Sequence, residues 1–181
     1  MCGINGIMTA SGAPPKRDAV IAMQTALKHR GPDGEGLHFD GNVGMAHRRL
    51  AIIDLETGDQ PLTLNGGTTL IANAEIYNYL ELKAEMHDVI FSTNSDCEIP
   101  LHLYAKYGEK FGEHLRGMYA IAIHDPKQRR LVLSRDPFGI KQLYYTEGPF
   151  GFAFASEPQA LLASGLVNAN VRRNAAEELL Q

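Results

Sequence analysis

The chain has 181 residues, of which 44% are hydrophobic and 21% are charged, and its formal net charge at pH 7 is −4. This composition is typical of a single globular domain with a sizeable core, and it excludes a disordered or fibrous protein. The weak negative charge and the lack of long basic runs disfavour nucleic-acid and anionic-membrane partners. No apolar run is long enough to span a bilayer, and the amino terminus has no signal-peptide pattern, so we expect a cytoplasmic protein.

The first third of the chain is predicted to contain strands around one helix. Residues 3–9 have the pattern of a buried strand, and the helix that follows carries Val20, Met23 and Leu27 on one face. Apolar and polar residues alternate again over residues 37–53, which indicates further strands before a turn.

Three hairpins and two more helices are predicted in the rest of the chain. The tripeptide Asn65-Gly66-Gly67 is a strong hairpin signal, because Asn and Gly tolerate the positive φ angles of primed turns. The hairpins are expected over residues 61–71, 118–134 and 142–155, and the helices over residues 76–86 and 95–107. Antiparallel hairpins with helices on the outside define an α+β fold.

The end of the chain and its two cysteines bear on domain organisation. Residues 174–181 have a helical composition without a capping or stop signal. We therefore expect residues 1–181 to form one domain, with a downstream domain absent from this chain. Cys2 and Cys97 do not make a disulfide framework.

Cys2 is the first residue that could carry chemistry. A small second residue favours removal of the initiator methionine, which would leave the Cys2 α-amine, with an ordinary pKa of about 8, free to accept the thiol proton. One residue would then supply both nucleophile and base. The alternative is that Cys2 is simply small enough to begin a buried strand.

Eight peptides spread along the chain carry a family resemblance. They are CGINGI (2–7), HRGPDGEG (29–36), HRRLAIIDLETGDQPL (47–62), NAEIYN (73–78), SDCEI (95–99), LRGMYAIAIHD (115–125), LSRDPFGIKQLYY (133–145) and FASEPQALLASG (154–165). In sequence and in order they closely resemble the glutamine amidotransferase domain of asparagine synthetase-like enzymes. That domain is an N-terminal nucleophile hydrolase, so the resemblance implies a four-layer αββα sandwich of two antiparallel sheets.

The resemblance implies hydrolysis of L-glutamine to glutamate and ammonia. Cys2 would attack the side-chain amide and form a thioester, which water then hydrolyses. Arg49 would bind the α-carboxylate of glutamine, for which a planar guanidinium is well suited. Glu75 and Asp96 would bind its α-ammonium group.

Simpler interpretations of these residues stay open at this stage. Without the resemblance, Arg49 is one of several surface arginines in a basic stretch. Asp96 is then an acidic residue in the first turn of a helix, where Ser95 and Glu98 form a capping box.

The resemblance also implies an oxyanion hole, formed by the side chain of Asn73 and the backbone N–H of Ala74. Both donors would point at the oxygen that becomes negative in the tetrahedral intermediate, and losing one such donor typically costs about 2.7 to 4 kcal/mol. A neighbouring segment would line the same pocket through main-chain contacts. Its residues are Leu50, Ala51, Ile52 and Ile53.

Two positions depart from the family pattern. Ala74 stands where the family usually has glycine, and a methyl group there could tilt the donor or crowd the substrate. Pro100 replaces an aliphatic residue; if Ser95 caps the helix, Pro100 deletes a hydrogen bond, so the helix starts later or is kinked. These departures support an alternative, a catalytically impaired glutamine-binding or interaction module of the same fold.

No metal or cofactor is predicted for these residues, because the histidines lack metal-ligand spacing and no phosphate-binding or dinucleotide fingerprint occurs. The resemblance implies ATP and magnesium only for a following synthetase domain, which would use the ammonia, typically to amidate aspartate. Amidotransferases that make glucosamine phosphate or phosphoribosylamine, and a thiol protein with a structural Cys2, are the remaining rivals. A homodimer is an open possibility for the oligomeric state.

Overall fold

The structure, a computed structural model, describes residues 1–170. Five strands form the first antiparallel sheet: β1 (Gly3–Thr9), β2 (Gly34–Asp40), β3 (Val43–Arg49), β8 (Tyr144–Gly148) and β9 (Gly151–Ala155). Their order across the sheet is β2-β3-β1-β9-β8, so β1 lies in the centre. The residue that precedes β1 is therefore held at the end of a central strand.

Four strands form the second antiparallel sheet: β4 (Leu62–Thr63), β5 (Thr69–Ile76), β6 (Gly117–Asp125) and β7 (Arg130–Arg135). Their order is β4-β5-β6-β7. Because β4 pairs only with Thr69 and Leu70, the edge of β5 beyond Leu70 has no strand beside it. This open edge faces the site described below.

The described helices flank the two sheets. They are α1 (Arg17–Ala26), α2 (Tyr79–Glu85), α3 (Ile99–Tyr107) and α4 (Pro158–Ala163), with 3₁₀ helices at Lys28–Arg30, Asp96–Glu98 and Gly108–His114. Among the described residues no helix has the length and apolar character needed to cross a bilayer.

Three apolar clusters define four layers. One joins α1 and α4 to the outer face of the first sheet, for example through Val20 and Ala153. A second joins α2 and α3 to the outer face of the second sheet, and a third, which includes Ile4 and Ile71, fills the space between the sheets. Burial of these faces from water holds the layers together. The predicted αββα sandwich is confirmed.

The predicted strands and hairpins agree with the structure. Gly66 and Gly67, with φ angles of 110° and 91°, form the turn between β4 and β5, as expected. In the third hairpin Glu147 and Gly148 still belong to β8, so the turn is shorter than predicted. Helix α4 was not predicted, because its six residues are too few for a clear periodicity. The helix predicted at 174–181 lies outside the described residues.

Pro100 does not interrupt a helix. Ser95 caps the short 3₁₀ helix, where its Oγ accepts a hydrogen bond from the Cys97 N–H at 3.2 Å. Helix α3 begins only at Ile99, so Pro100 lies in its first turn, where a missing N–H costs no helical hydrogen bond. Of the two predicted outcomes, the later helix start is the correct one.

The capping box suggested for Ser95 and Glu98 does not form. The Glu98 carboxylate instead accepts hydrogen bonds from the backbone N–H groups of Ser92 and Thr93, at 2.8 and 2.7 Å. It thereby fixes the segment that leads into the 3₁₀ helix carrying Asp96.

Candidate active site

A cavity of about 50 Å³ opens at the end of the sandwich where β1 begins and β5 ends. All but one of the predicted site residues line it: Cys2, Arg49, Leu50, Ile52, Ile53, Asn73, Ala74, Glu75 and Asp96. The exception is Ala51, whose N–H donates a hydrogen bond to Asp33 Oδ2 at 2.9 Å. The fold therefore brings residues from distant parts of the chain to one place.

The Cys2 thiol is held by the main chain of one residue. The Leu50 N–H donates to Sγ at 3.4 Å, and Sγ lies 3.6 Å from the Leu50 carbonyl oxygen. Arg30 Nε donates to the Cys2 carbonyl at 2.9 Å, and Arg30 is itself paired with Glu157 at 2.6 Å. Arg30 and Glu157 thus position Cys2, a role that the sequence analysis missed although both residues lie in the peptides it quoted.

Opposing effects act on the acidity of the Cys2 thiol. Burial raises its pKa and outweighs the hydrogen bond from the Leu50 N–H, which lowers it. The positive charges of the amino terminus, Arg49 and Lys141 lower the thiol pKa further. Lys141 lines the cavity and is 5% exposed, so its charge acts at short range. Lys141 is a third residue that the sequence analysis did not single out.

Asn73 presents an unused donor to the cavity. The residue is 2% exposed, and among the described residues its Nδ2 atom has no hydrogen-bond partner. A buried amide without a partner costs about 1 to 3 kcal/mol, and a ligand that accepts its hydrogen bond removes that cost. Asn5 Oδ1 and His47 Nδ1 also lack partners among the described residues, but neither residue lines the cavity.

The backbone N–H of Ala74 faces the same way. Successive N–H groups on a strand point to opposite edges, so those of Ala72, Ala74 and Ile76 share the open edge of β5. The Ala72 N–H donates to Gln60 Oε1 at 2.6 Å, and the Ile76 N–H donates to Asp96 Oδ2 at 2.7 Å. Gln60 and Asp96 both line the cavity, which places the Ala74 N–H between them.

The alanine at position 74 does not disturb this geometry. Ala74 lies within β5 and is not among the residues with positive φ, so its backbone has no need of glycine. Its methyl group packs against the apolar cluster beneath α3. A Cβ atom is therefore accommodated on the side of the strand that faces the core.

Two carboxyl groups lie close together on one wall of the cavity. Burial and the nearby charge of Asp96 raise the pKa of Glu75. Burial also raises the pKa of Asp96, against the hydrogen bond from the Ile76 N–H. A bound cation would relieve both effects, because it stabilises the ionised form of each group.

Arg49 is a buried residue and not a surface arginine. It is 7% exposed, and its Nη1 atom donates to Asp59 Oδ1 at 2.8 Å, while Nη2 donates to the Asp54 carbonyl. The Asp59 side chain is 80% exposed, so this partner lies in solvent and can be exchanged. The cavity thus combines a guanidinium group with two carboxyl groups.

Comparisons with known proteins define the class to which this site belongs. The profile of a family described as "Glutamine amidotransferase domain" matches residues 1–181. The glutamine phosphoribosylpyrophosphate amidotransferase from B. subtilis, solved with ADP and GMP, superposes with a TM-score of 0.76 over 91% of this chain and 44% of that one, at 24% identity. At that identity the likeness shows a shared fold. The chain belongs to the glutamine amidotransferase domain family, whose members are enzymes.

The more similar sequences come from one kind of protein. "Asparagine synthetase [glutamine-hydrolyzing] 2" of Bacillus subtilis (strain 168) is 44% identical over 168 residues, which are 90% of this chain and 22% of that protein. An asparagine synthetase [glutamine-hydrolyzing] of Zea mays is 42% identical over 164 residues, 89% of this chain and 28% of that protein. The chain therefore spans about a quarter of the length of these relatives.

Proposed function

We propose that this domain hydrolyses L-glutamine to glutamate and ammonia, with Cys2 as the nucleophile. The observation that carries the proposal is the unused donor Asn73 Nδ2, together with the Ala74 N–H on the open edge of β5, in the cavity that also holds the Cys2 thiol. Two preorganised donors at this point match the charge that develops on an amide oxygen under nucleophilic attack.

In the first half of the reaction, the Cys2 sulfur forms a bond to the side-chain carbonyl carbon of glutamine. The carbonyl oxygen becomes negative and accepts hydrogen bonds from Asn73 and Ala74. The C–N bond then breaks, and the leaving nitrogen takes the proton that the α-amine had accepted from the thiol. Ammonia and a thioester result.

In the second half, water attacks the thioester and gives its proton to the α-amine. A second tetrahedral intermediate uses the same two donors. When the C–S bond breaks, glutamate leaves and the thiol is restored. One oxyanion site therefore serves both halves of the reaction.

Substrate selection rests on the charged walls of the cavity. The α-carboxylate of glutamine would replace the exposed Asp59 carboxylate on Arg49. The α-ammonium would lie between Glu75 and Asp96, where its positive charge would favour the ionised form of both carboxyl groups. This arrangement selects a free amino acid over a glutamine within a peptide chain.

Removal of Met1 is a required step of the proposal. While Met1 is attached, the Cys2 nitrogen is an amide and cannot act as a base. Met1 also lines the cavity, so its loss would free space as well as the amine.

The relatives suggest the use to which the ammonia is put. Because the similar proteins are named glutamine-hydrolysing asparagine synthetases, we propose that a following synthetase domain uses the ammonia to make an amide, with ATP and magnesium bound in that domain. Cys2 and Cys97 are both unpaired, which fits a reducing cytoplasm. A homodimer stays a prediction.

The proposal is tested by measuring glutamate and ammonia released from glutamine by the purified chain, with Met1 removal verified by intact mass. Cys2→Ala should lower kcat by at least about a thousandfold, because the nucleophile is lost. Its unfolding temperature should stay close to that of the parent chain. Wild-type activity in Cys2→Ala would contradict the proposal.

Two further preparations separate the roles of thiol and amine. A chain that retains Met1, made in cells deficient in methionine removal, should be inactive although its thiol is intact. Trapping with a glutamine-like electrophile should label Cys2 in the processed chain and leave Cys97 unlabelled. Equal turnover by processed and unprocessed chains would exclude the amine as the base.

A further inference from the structure

The end of the sandwich opposite Cys2 holds a second cluster of reactive side chains. In β2, His38 and Asp40 are two residues apart, so their side chains share one face of the strand. That face meets His124 of β6, which belongs to the other sheet. His38 Nε2 lies 3.0 Å from His124 Nδ1, and Asp40 Oδ2 lies 4.0 Å from the same His124 atom.

From these three side chains we infer a binding site for a zinc ion, which would link the two sheets. The ligand atoms of His38, Asp40 and His124 all lie within 4.8 Å of one another. Two imidazoles and one carboxylate are a common zinc ligand set, with a fourth position left for water. The site shares no lining residue with the cavity beside Cys2.

The distances are close to those that zinc requires. Zinc–nitrogen bonds of about 2.0 to 2.1 Å at a tetrahedral angle place two ligand nitrogens about 3.3 Å apart. The 3.0 Å between His38 and His124 is slightly shorter, so the rings would separate by a few tenths of an ångström. Asp40 Oδ2 lies 4.0 Å from His124 Nδ1, so it would have to move inward by a larger amount, at least about 0.7 Å, and its side chain, which is 50% exposed, has room to do so.

The surroundings favour the ligand form of the histidines. Burial lowers the pKa of both His38 and His124, which favours the neutral imidazole that can offer a lone pair to a metal. Asp125 follows His124 in β6, so its side chain lies on the opposite face of the strand, where its carboxylate accepts hydrogen bonds from the Tyr104 hydroxyl at 2.9 Å and the Gln128 N–H at 3.1 Å. The cluster therefore has three ligands and no fourth from this part of the chain.

An open cavity of about 220 Å³ gives access to the cluster. It is lined by Asp40, Asn42, His124 and Arg129, among other residues. This space can hold the water that completes the coordination. Arg129 is a positive charge beside the bound ion, and its removal should therefore tighten zinc binding.

The test is zinc titration by calorimetry together with cobalt substitution, in which visible absorption bands report tetrahedral coordination. Both measurements use the Cys2→Ala chain, because a thiolate would compete for the metal. We expect one equivalent of zinc to bind, and cobalt bands without a thiolate contribution. Zinc should also raise the unfolding temperature, because the ion binds the folded state.

Single substitutions decide whether the metal lies at this cluster. Asp40→Asn and His124→Gln should weaken zinc binding at least tenfold and remove the cobalt bands. Arg129→Gln should strengthen binding several-fold, whereas His87→Gln, a change at an exposed histidine outside the cluster, should leave it unchanged.

Either of two results would overturn the assignment. One is a Cys2→Ala chain, with the cluster intact, that shows no stoichiometric zinc binding, which would mean that His38 and His124 only share a hydrogen bond. The other is binding that survives in Asp40→Asn. If His124→Gln fails to fold, Asp40→Asn still decides, because the Asp40 side chain is half exposed and carries little of the core.

Discussion

At one end of the sandwich the cavity beside Cys2 contains polar groups that lack partners, whereas at the other end His38, Asp40 and His124 contact one another. Asn73 Nδ2 has no partner among the described residues. At the far end, by contrast, the two imidazoles lie 3.0 Å apart. Both ends are built where the two sheets meet.

Because the two ends differ in this way, we expect residues at the cavity to contribute mainly to function and residues that bond to one another to contribute mainly to stability. An unsatisfied donor and two neighbouring carboxyl groups are costly in the empty site, and a substrate that uses them recovers that free energy. Changes at the cavity should therefore remove activity without loss of stability. Changes at buried polar residues that are hydrogen-bonded within the fold should lower stability and leave the activity of the folded protein unchanged.

The largest effect expected in this comparison is that of Asn73→Ala. Loss of one oxyanion donor should lower kcat by about 10² to 10³, which corresponds to about 2.7 to 4 kcal/mol. Because Asn73 Nδ2 has no partner within residues 1–170, the unfolding temperature should not fall. Steady-state kinetics and thermal unfolding measure the two quantities.

Asn5→Ala is the matched control for that change. Asn5 is fully buried, and its Nδ2 donates to the Val20 carbonyl at 3.1 Å, which ties β1 to α1. Its removal should cost about 1 to 3 kcal/mol of stability and leave kcat of the folded protein unchanged. If Asn73→Ala and Asn5→Ala lose stability and activity equally, the proposed distinction between functional and stabilising residues is wrong.

Glu75→Gln should have an intermediate effect, mainly on substrate binding. Loss of a charged partner for the α-ammonium should raise KM for glutamine about 10- to 100-fold, with a smaller change in kcat. Glu81→Gln, at an exposed carboxylate on α2, is the control and should leave KM unchanged. An unchanged KM in Glu75→Gln would remove Glu75 from the ammonium site.

The same substitution has a pH signature. The pKa of Glu75 is raised in the folded protein, so its charge opposes folding above that raised pKa. Glu75→Gln should therefore unfold at a higher temperature than the parent at pH 7. This gain should vanish on acidification below the ordinary pKa of 4.5, where the parent is protonated in both states. For the parent, KM should rise as pH falls through the raised pKa.

Pro100→Ala should have the smallest effect. Proline in the first turn of α3 restricts the unfolded chain, and its replacement should cost about 0.4 to 1 kcal/mol. Asp96 is held by the Ile76 N–H independently of this residue, so kcat and KM should not change. A large rise in KM would show that Pro100 helps to place Asp96, contrary to this account.

Local patterns were sufficient to predict many of the strands and turns, whereas the αββα sandwich was predicted through the family resemblance. Strands β1, β5 and β6 and the turn at Gly66 and Gly67 follow from alternation and from turn residues, which act over a few neighbours. The start of α3 could not be chosen from the same information. Whether Ser95 caps an α-helix or a 3₁₀ helix depends on where Glu98 finds its partners, and those are fixed by the folded segment before it.

The site residues were predicted through family resemblance, and the assignment of their roles stays a prediction. Arg30 and Lys141 were missed, because neither carries a signal until the fold brings Arg30 to the Cys2 carbonyl and Lys141 to the cavity. Ala74 was expected to tilt the backbone donor or crowd the substrate, because the family usually has glycine at that position. The structure does not support a tilted donor, since a regular strand needs no positive φ.

The order of residues along the chain was enough to indicate Cys2 and the antiparallel hairpins, because an N-terminal position and the alternation of polar and apolar residues are local properties. The arrangement of the strands in two stacked sheets was predicted only through the family resemblance. The tertiary structure alone decided which polar groups lie beside the Cys2 cavity without hydrogen-bond partners. It also decided which side chains contact one another at the opposite end of the sandwich. His38 and His124 are 86 residues apart and show no common spacing. Only the packing of one sheet on the other makes them neighbours, because the contact crosses the layer that separates the sheets.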